Sequence, residues 1–350
     1  MAKNFLINFP LTGIICFLIF WQSCRGPAKT DQQPLWTFQA HLPVVSLQDL
    51  DGTRIGIRSA SHFYVQDKAD GQLINDVPLL AYGLGGAVLD DPLLYFGSSD
   101  FYFRCYDIRK NKPVWEYPTG MENEATPVLD STAVYWGSMD SVVYAVHKIT
   151  GETLWQFRTG CHIYGQPVIA DSLLIIGSWD TYLYALNRKT GHLVWKFAAQ
   201  AGIDQTPVII DQTIWSPDYD YRIYALDLQT GQLKYQFTAE NAFEFGGAQW
   251  KNQFICTGID RDFYFVDTDQ YQVTIRGKSP VAVSCSPVVW ENWLFTGQYN
   301  GSLYRWKLPD MEKELLYKFD DRVLAILSDG KYVWASSWDG ALVCFPINKD

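Results

Sequence analysis

Short apolar runs separated by polar turns fill most of the chain, and the pattern returns about every 40 residues. Its clearest copy begins with Gln166-Pro167-Val168-Ile169-Ala170, read as a first strand and closed by the turn Asp171-Ser172. Leu173 to Gly177 is a second strand, Ser178-Trp179-Asp180 a turn, Thr181 to Leu186 a third strand, Lys189-Thr190-Gly191 another turn, and Leu193 to Phe197 a fourth strand. Runs of this length, rich in β-branched and aromatic residues and bounded by Gly, Asp and Ser, predict strands. Glycine in the last turn tolerates the positive φ that a tight hairpin needs.

The residue that ends the second strand carries the frame along the chain: Gly97, Gly137, Gly177 and Pro217 stand 40 apart, followed by Gly258, Gly297 and Ser336. Pro127, Pro167, Pro207 and Pro287, with Gly247 in the missing slot, mark the first strands, where the ladder needs no N–H donor. A weaker unit from Ile55 to Asp67, with the turn Ala69-Asp70-Gly71, precedes them and brings the count to eight. Repeats of this period bury their apolar faces only against their neighbours. The last unit ends after a third strand, Ala341 to Ile347, while an orphan Leu35-Trp36-Thr37-Phe38 fits the fourth-strand pattern. Pairing the two closes a ring and removes both open sheet edges. The predicted fold is therefore all-β: an eight-bladed β-propeller of four-stranded antiparallel blades, closed by its N-terminal strand.

The unit Pro-Val-x-x-Asp, Gly-Ser-x-Asp-x-x-Leu-Tyr-Ala-Leu, Thr-Gly and Leu-x-Trp-x-Phe resembles the PQQ-type propeller repeat of quinoprotein-like proteins over roughly residues 35 to 347. The match is strongest in units three to five and weak in units one, six and seven, where the Trp slot falls around Val77, Val273 to Ile275 and Leu316. The WD40 family fits less well, because Trp338-Asp339 stands at the second turn and not at the end of a third strand.

Aromatic residues make up 16% of the chain and charged residues 19%, a balance suited to broad contacts between sheets in one domain spanning 34–350. The formal charge of −10 argues against a nucleic-acid partner, which would call for a basic stripe. Lys3 followed by an apolar run from Phe5 to Trp21, broken by Asn8 and Pro10, reads as an export signal over 1–23. Ser23-Cys24 resembles a bacterial lipoprotein cleavage site, with lipid on Cys24 and a polar tether over 24–33, although Trp21-Gln22 depart from the usual residues. Plain secretion is the alternative. Five cysteines follow, Cys105, Cys161, Cys256, Cys285 and Cys344, scattered over different repeats without a C-x-x-C. Cys105 and Cys344 take the third-strand slot of Ala145, Ala185 and Ala225, as small core residues do.

Catalytic signatures are missing: the five histidines are scattered, and no G-x-S-x-G or H-E-x-x-H occurs. The resemblance to quinoprotein dehydrogenases would imply an adjacent cysteine pair and a carboxylate-rich calcium site, and no Cys-Cys is present. No cofactor is expected, with PQQ or calcium as the lesser reading. Trp36, Trp115, Trp155 and Trp195 are expected to pack between blades, and Asp100, Asp140, Asp180, Asp220 and Asp339 to cap the turn after the second strand.

Two sets of residues exceed what folding asks. The residue before the turn aspartate is Trp179, Tyr219 or Trp338, with Tyr299 before Asn300, and equivalent turns open on one face of a ring. These rings predict a broken aromatic rim for a partner, the alternative being packing against nearby loops. Three residues before the first-strand proline or its substitute stand Glu124, Tyr164, Asp204, Glu244 and Ser284. Facing the channel mouth, the acids could hold calcium or a basic segment, with Glu122, His162 and Arg261 nearby, or simply be solvated. The pattern fits a non-enzymatic, exported and monomeric binding scaffold. Its lipoprotein-like start is similar to the lipid-anchored propellers of this class that support the outer-membrane β-barrel insertase, which would imply a periplasm-facing outer-membrane location. A PQQ- or metal-dependent enzyme using the channel, and a carbohydrate- or peptide-binding propeller, are the rival readings.

Overall fold

Each predicted hairpin pairs in the computed structural model, which describes residues 32–240 and 242–347. Eight four-stranded antiparallel sheets form, and all but one use four consecutive strands. The blades cover 44–78, 87–118, 128–158, 168–198, 208–238, 248–278, 288–318 and, for the last, 323–346 joined by Trp36–Gln39. That N-terminal strand pairs with Ala341–Pro346 in the register Trp36 opposite Cys344 and Gln39 opposite Ala341, so the ring closes as the repeat count requires. Among the described residues no helix is long and apolar enough to cross a membrane. The export signal and Cys24 lie outside the described residues.

In the fourth blade the strands are Val168–Ala170, Leu173–Gly177, Tyr182–Asn187 and Leu193–Ala198. The first is shorter than the sequence pattern indicates. Pro167 has no N–H to give, so the ladder starts one residue after it, as it does after Pro127, Pro207 and Pro287.

One contact joins neighbouring blades repeatedly. The indole N–H groups of Trp36, Trp115, Trp155 and Trp195 donate to the carbonyls of Lys68, Lys148, Arg188 and Leu228 in the next blade at 2.9–3.1 Å. Each ring lies against the turn glycine of that blade, Gly71, Gly151, Gly191 or Gly231, so closely that a Cβ there would stand 2.5–2.7 Å from it. The same glycines have φ of +69° to +73°, so both the space and the backbone exclude a side chain. Opposite each Trp on the third strand is a small residue: Cys344, Cys105, Ala145 or Ala185.

Register shifts the sequence assignment in the first and seventh blades and fixes it within Val273 to Ile275 in the sixth. The Trp slot of the first blade is Asn75, not Val77, because Val65 pairs with Asn75 and Phe63 with Val77. Thr274, opposite Phe265, holds it in the sixth blade and Glu314, opposite Arg305, in the seventh. The two slots share one volume: where the third strand carries a large side chain, the fourth cannot carry a Trp. In the seventh blade the exchange becomes an ion pair, Arg305 Nε to Glu314 at 2.6 Å, with the guanidinium over Trp293.

Candidate functional site

The turns after the second strands and the connectors between blades lie at one end of the ring. Main-chain N–H groups of Met139, Trp179, Tyr219, Ile259, Tyr299 and Trp338 donate to the carbonyls of Glu122, His162, Gly202, Ala242, Ala282 and Arg322 in the connectors. The expected shared face for the two residue sets is therefore present. Each connector also plugs the gap between blades: a Cβ on Gly137 or Gly177 would stand 2.1 or 2.3 Å from Ile163 or Ile203.

Turn aspartates do the holding. Asp180 Oδ1 accepts the N–H of Tyr182, while its Oδ2 accepts the Tyr184 hydroxyl and the N–H of Gly160. Asp140 does the same with Val142, Tyr144 and Gly120. The next residue is left-handed, with φ of 69° at Ser141 and 75° at Thr181, a conformation that the aspartate's bonds secure. In the fifth blade the cap is Asp218, not Asp220: Pro217 precedes it, Asp218 takes the N–H of Arg222 and the hydroxyl of Tyr224, and Asp220 pairs with Arg222 at 2.9 Å.

With the turn fixed, the preceding side chain projects outward. Trp179 is 41% exposed and Tyr219 and Tyr299 are each 39% exposed. The rings of Tyr164 and Trp179 are 6.1 Å apart and those of Trp179 and Tyr219 5.4 Å apart, which makes a continuous arc over two blades. Farther round, the arc breaks. Ile259, 42% exposed, takes the sixth position. Tyr299 donates its hydroxyl to Glu244 at 2.8 Å and lies 6.4 Å from Phe245, and Trp338 is half-buried beneath Arg322, whose guanidinium carbon is 4.3 Å from the ring centre. The sequence pattern did not single out Phe245, Ile259 or Arg322. Ile259 stands in the rim slot and Arg322 two residues before the next connector position, so both were findable by strict alignment of the repeats.

Glu124, Tyr164, Asp204 and Glu244 lie on adjacent connectors, which touch where glycine permits, Gly85 against Glu124 and Gly165 against Asp204. Burial pushes the Asp204 carboxyl up to about 6, with Glu244 adding repulsion and Trp179 opposing through a hydrogen bond. One Asp204 oxygen is buried without a partner. Burial, then Glu122, raises Glu124 as well. Tyr219 is raised by burial and, after it, by the charges of Asp204 and Glu244. Ser284 departs from the set: it is buried and donates to the carbonyl of Val323 at 2.6 Å. Arg261 is tied to the Pro280 carbonyl at 3.0 Å and His162 to the Met139 carbonyl.

The acids do not converge on a metal position: among the described residues no three His, Cys, Asp or Glu side chains are grouped to hold an ion. A cavity of about 280 Å³ spans the axis between Gln166 and the apolar side chains Val45, Leu324 and Ile326, with no carboxylate in its wall. The five cysteines are free, and burial pushes the thiols of Cys105, Cys285 and Cys344 up to about 12. Cys161 is half-buried in the connector before the fourth blade.

A family model described as outer membrane protein assembly factor BamB matches residues 44–162 and 139–248, together more than half of the chain. This chain belongs to the BamB family. Among solved structures it is similar to BamB from Moraxella catarrhalis, at 15% identity and a TM-score of 0.79 over 90% of this chain and 99% of that one. It is also similar to the computationally designed protein Ika8, at 16% identity and a TM-score of 0.80 over 90% and 100% of the two chains. Likenesses at such identities establish the shared ring. No curated protein sequence matches the chain. The BamB model covers the first five blades, among them the fourth and fifth, where the aromatic arc and Asp204 lie.

Proposed function

We propose that this BamB family member is a non-enzymatic, exported scaffold that acts as a monomer and docks a protein partner on the aromatic face. The observation that carries the reading is the arc Tyr164–Trp179–Tyr219: three rings in contact, two of them about 40% exposed, on turns already held by capping aspartates. Folding needs the aspartates and the glycines but gains little from a tryptophan at a turn tip. Large apolar rings bordered by charge are what a protein interface uses as anchors. A role in outer-membrane β-barrel assembly is drawn from the family, and lipid on Cys24 would hold the ring at the membrane on its periplasmic side. The partner on this reading is the β-barrel insertase or another envelope complex.

Crosslinking and pull-down from membranes of the native host test the reading. A Trp179/Tyr219/Trp338 triple alanine variant with the wild-type melting profile should lose a partner that the wild type recovers. Recovery of the same partners by both proteins would overturn the docking face. Mass analysis of the mature N-terminus tests the anchor: a diacylglyceryl group on Cys24 is expected, and an unmodified terminus would leave a secreted scaffold.

A further inference from the structure

The ring repeats its rim eight times, so one blade can be compared with another in the same chain. At the eighth blade the connector residue is Arg322, and its N-terminal neighbour on the rim is Tyr299. Its guanidinium lies over Trp338 at 4.3 Å, and its charge is felt by the Tyr299 phenol. An arginine on the connector between two successive rim aromatics thus covers the second of them. At the fifth blade the successive aromatics are Trp179 and Tyr219, and the connector residue whose carbonyl takes the Tyr219 N–H is Gly202. Here the rings lean on each other at 5.4 Å with their planes 45° apart. Among the described residues no arginine or lysine lies over either ring.

The carboxylates mark the same place. Asp204 follows Gly202 by two residues and keeps an oxygen without a partner, and Glu244, on the neighbouring connector, accepts the Tyr299 hydroxyl with one oxygen only. The rim of the eighth blade has Leu324 at the position of Asp204, and the arginine there lies over the Trp338 ring. The fifth-blade site offers what a guanidinium takes: a flat aromatic face and a carboxylate edge.

We propose that Trp179, Tyr219, Asp204 and Glu244 form a receptor for one arginine side chain of the docking partner, occupying the place that Arg322 fills in the eighth blade. This rests on the docking reading above and names the partner group that anchors it. Phosphate or carboxylate ligands are repelled by the same acids, and a bulky apolar side chain would leave Asp204 buried and unpaired, which costs affinity.

The test titrates N-acetyl-argininamide, its neutral citrulline counterpart and tetramethylammonium into the full chain labelled with 5-fluorotryptophan. The Trp179 resonance is assigned by Trp179→Phe. Binding of the arginine compound in the millimolar range is expected, with the citrulline compound weaker by at least about tenfold. Asp204→Asn/Glu244→Gln should weaken the arginine compound by a similar factor. Gly202→Arg, which rebuilds the eighth-blade arrangement, should abolish its binding; the new Cβ needs Trp179 to yield a few tenths of an ångström from 3.2 Å. Equal binding of arginine and citrulline compounds, equal binding of tetramethylammonium, or unchanged binding by Gly202→Arg would overturn the proposal. A partner that is lost by the aromatic triple variant but kept by Asp204→Asn/Glu244→Gln would also overturn it and leave the docking face in place.

Discussion

Replacing Asp204 by Asn should make the protein more stable at neutral pH. Burial lifts the carboxyl from its ordinary value of 3.8 to about 6, so the folded state prefers the protonated form. At about 1.4 kcal/mol per pH unit, ionising this group in the folded protein costs up to about 3 kcal/mol relative to the unfolded chain. The side chain is half-buried, and solvent screening reduces the figure to about 1–2 kcal/mol. The sign follows from the direction of the shift: the favourable contribution is complete below about pH 4 and is lost as pH rises through 6. Asp204→Asn removes that dependence. Thermal melts followed by near-ultraviolet circular dichroism at pH 4, 6 and 7.5 should show equal midpoints at pH 4 and a variant higher by about 1–4 °C at pH 7.5. A variant that is less stable at pH 7.5, or offset equally at all three values, would refute the claim that an ionised Asp204 strains the fold.

Lys68 fastens the closure: its ammonium is buried and lies 2.6 Å from Asp49 in the first blade and 2.8 Å from Asp329 in the last. Burial raises the Asp329 carboxyl, but Lys68 and two main-chain N–H groups outweigh it and hold the group below its usual range. Lys68→Met should therefore cost about 3–5 kcal/mol near pH 7 and less as Asp329 protonates below about pH 4, measured by urea unfolding at both values. Trp195→Ala should cost about 3–5 kcal/mol in the same assay, while Trp195→Phe, which loses chiefly the 3.1 Å bond to the Leu228 carbonyl, should cost about 1–2 kcal/mol.

Blade number and closure were legible because the same physical need recurs at fixed positions in most blades: a glycine under each of the four Trp rings, an aspartate or Asn300 in the turns of the second to eighth blades, and a gap that the connector fills. The first blade hid for a reason that register makes plain. Elsewhere the second strand ends in Gly137 or Gly177, leaving space for Ile163 or Ile203 from the connector. In the first blade Arg58 holds that strand position, and the connector supplies Gly83. Arg58 fills the gap from the other side, donating to the Ser59 and Gly83 carbonyls at 2.6 and 3.4 Å over the ring of Phe96. Both arrangements fill the same gap, but a repeat pattern scored position by position registers two mismatches. The site was half legible for a similar reason. Repeats assign angular position and face, so Trp179, Tyr219, Asp204 and Glu244 could be placed together, whereas radius and side-chain direction decide whether acids converge. That information lies in the connector packing, which turned Ser284 into the blade junction.

The rim shows how a regular scaffold acquires a one-sided surface. Positions that fix the turn are constrained in every blade but the first, so variation collects at the slot before the aspartate and in the connector, the two places that reach solvent. On the seventh and eighth blades that variation is self-satisfying: Tyr299 is bonded to Glu244 and Trp338 is covered by Arg322. On the fourth and fifth blades the rings are open, Gly202 supplies no cover, and an acid is buried at the cost of an unpaired oxygen. The repeat is also most regular there, which keeps neighbouring turns level and lets Tyr164, Trp179 and Tyr219 touch. A partner that anchors on this arc must bind off the axis, over the fourth and fifth blades, leaving the apolar channel wall of Val45, Leu324 and Ile326 on the far side of the ring. Docking and the channel are thereby separate properties of one fold, and a change in either should leave the other intact.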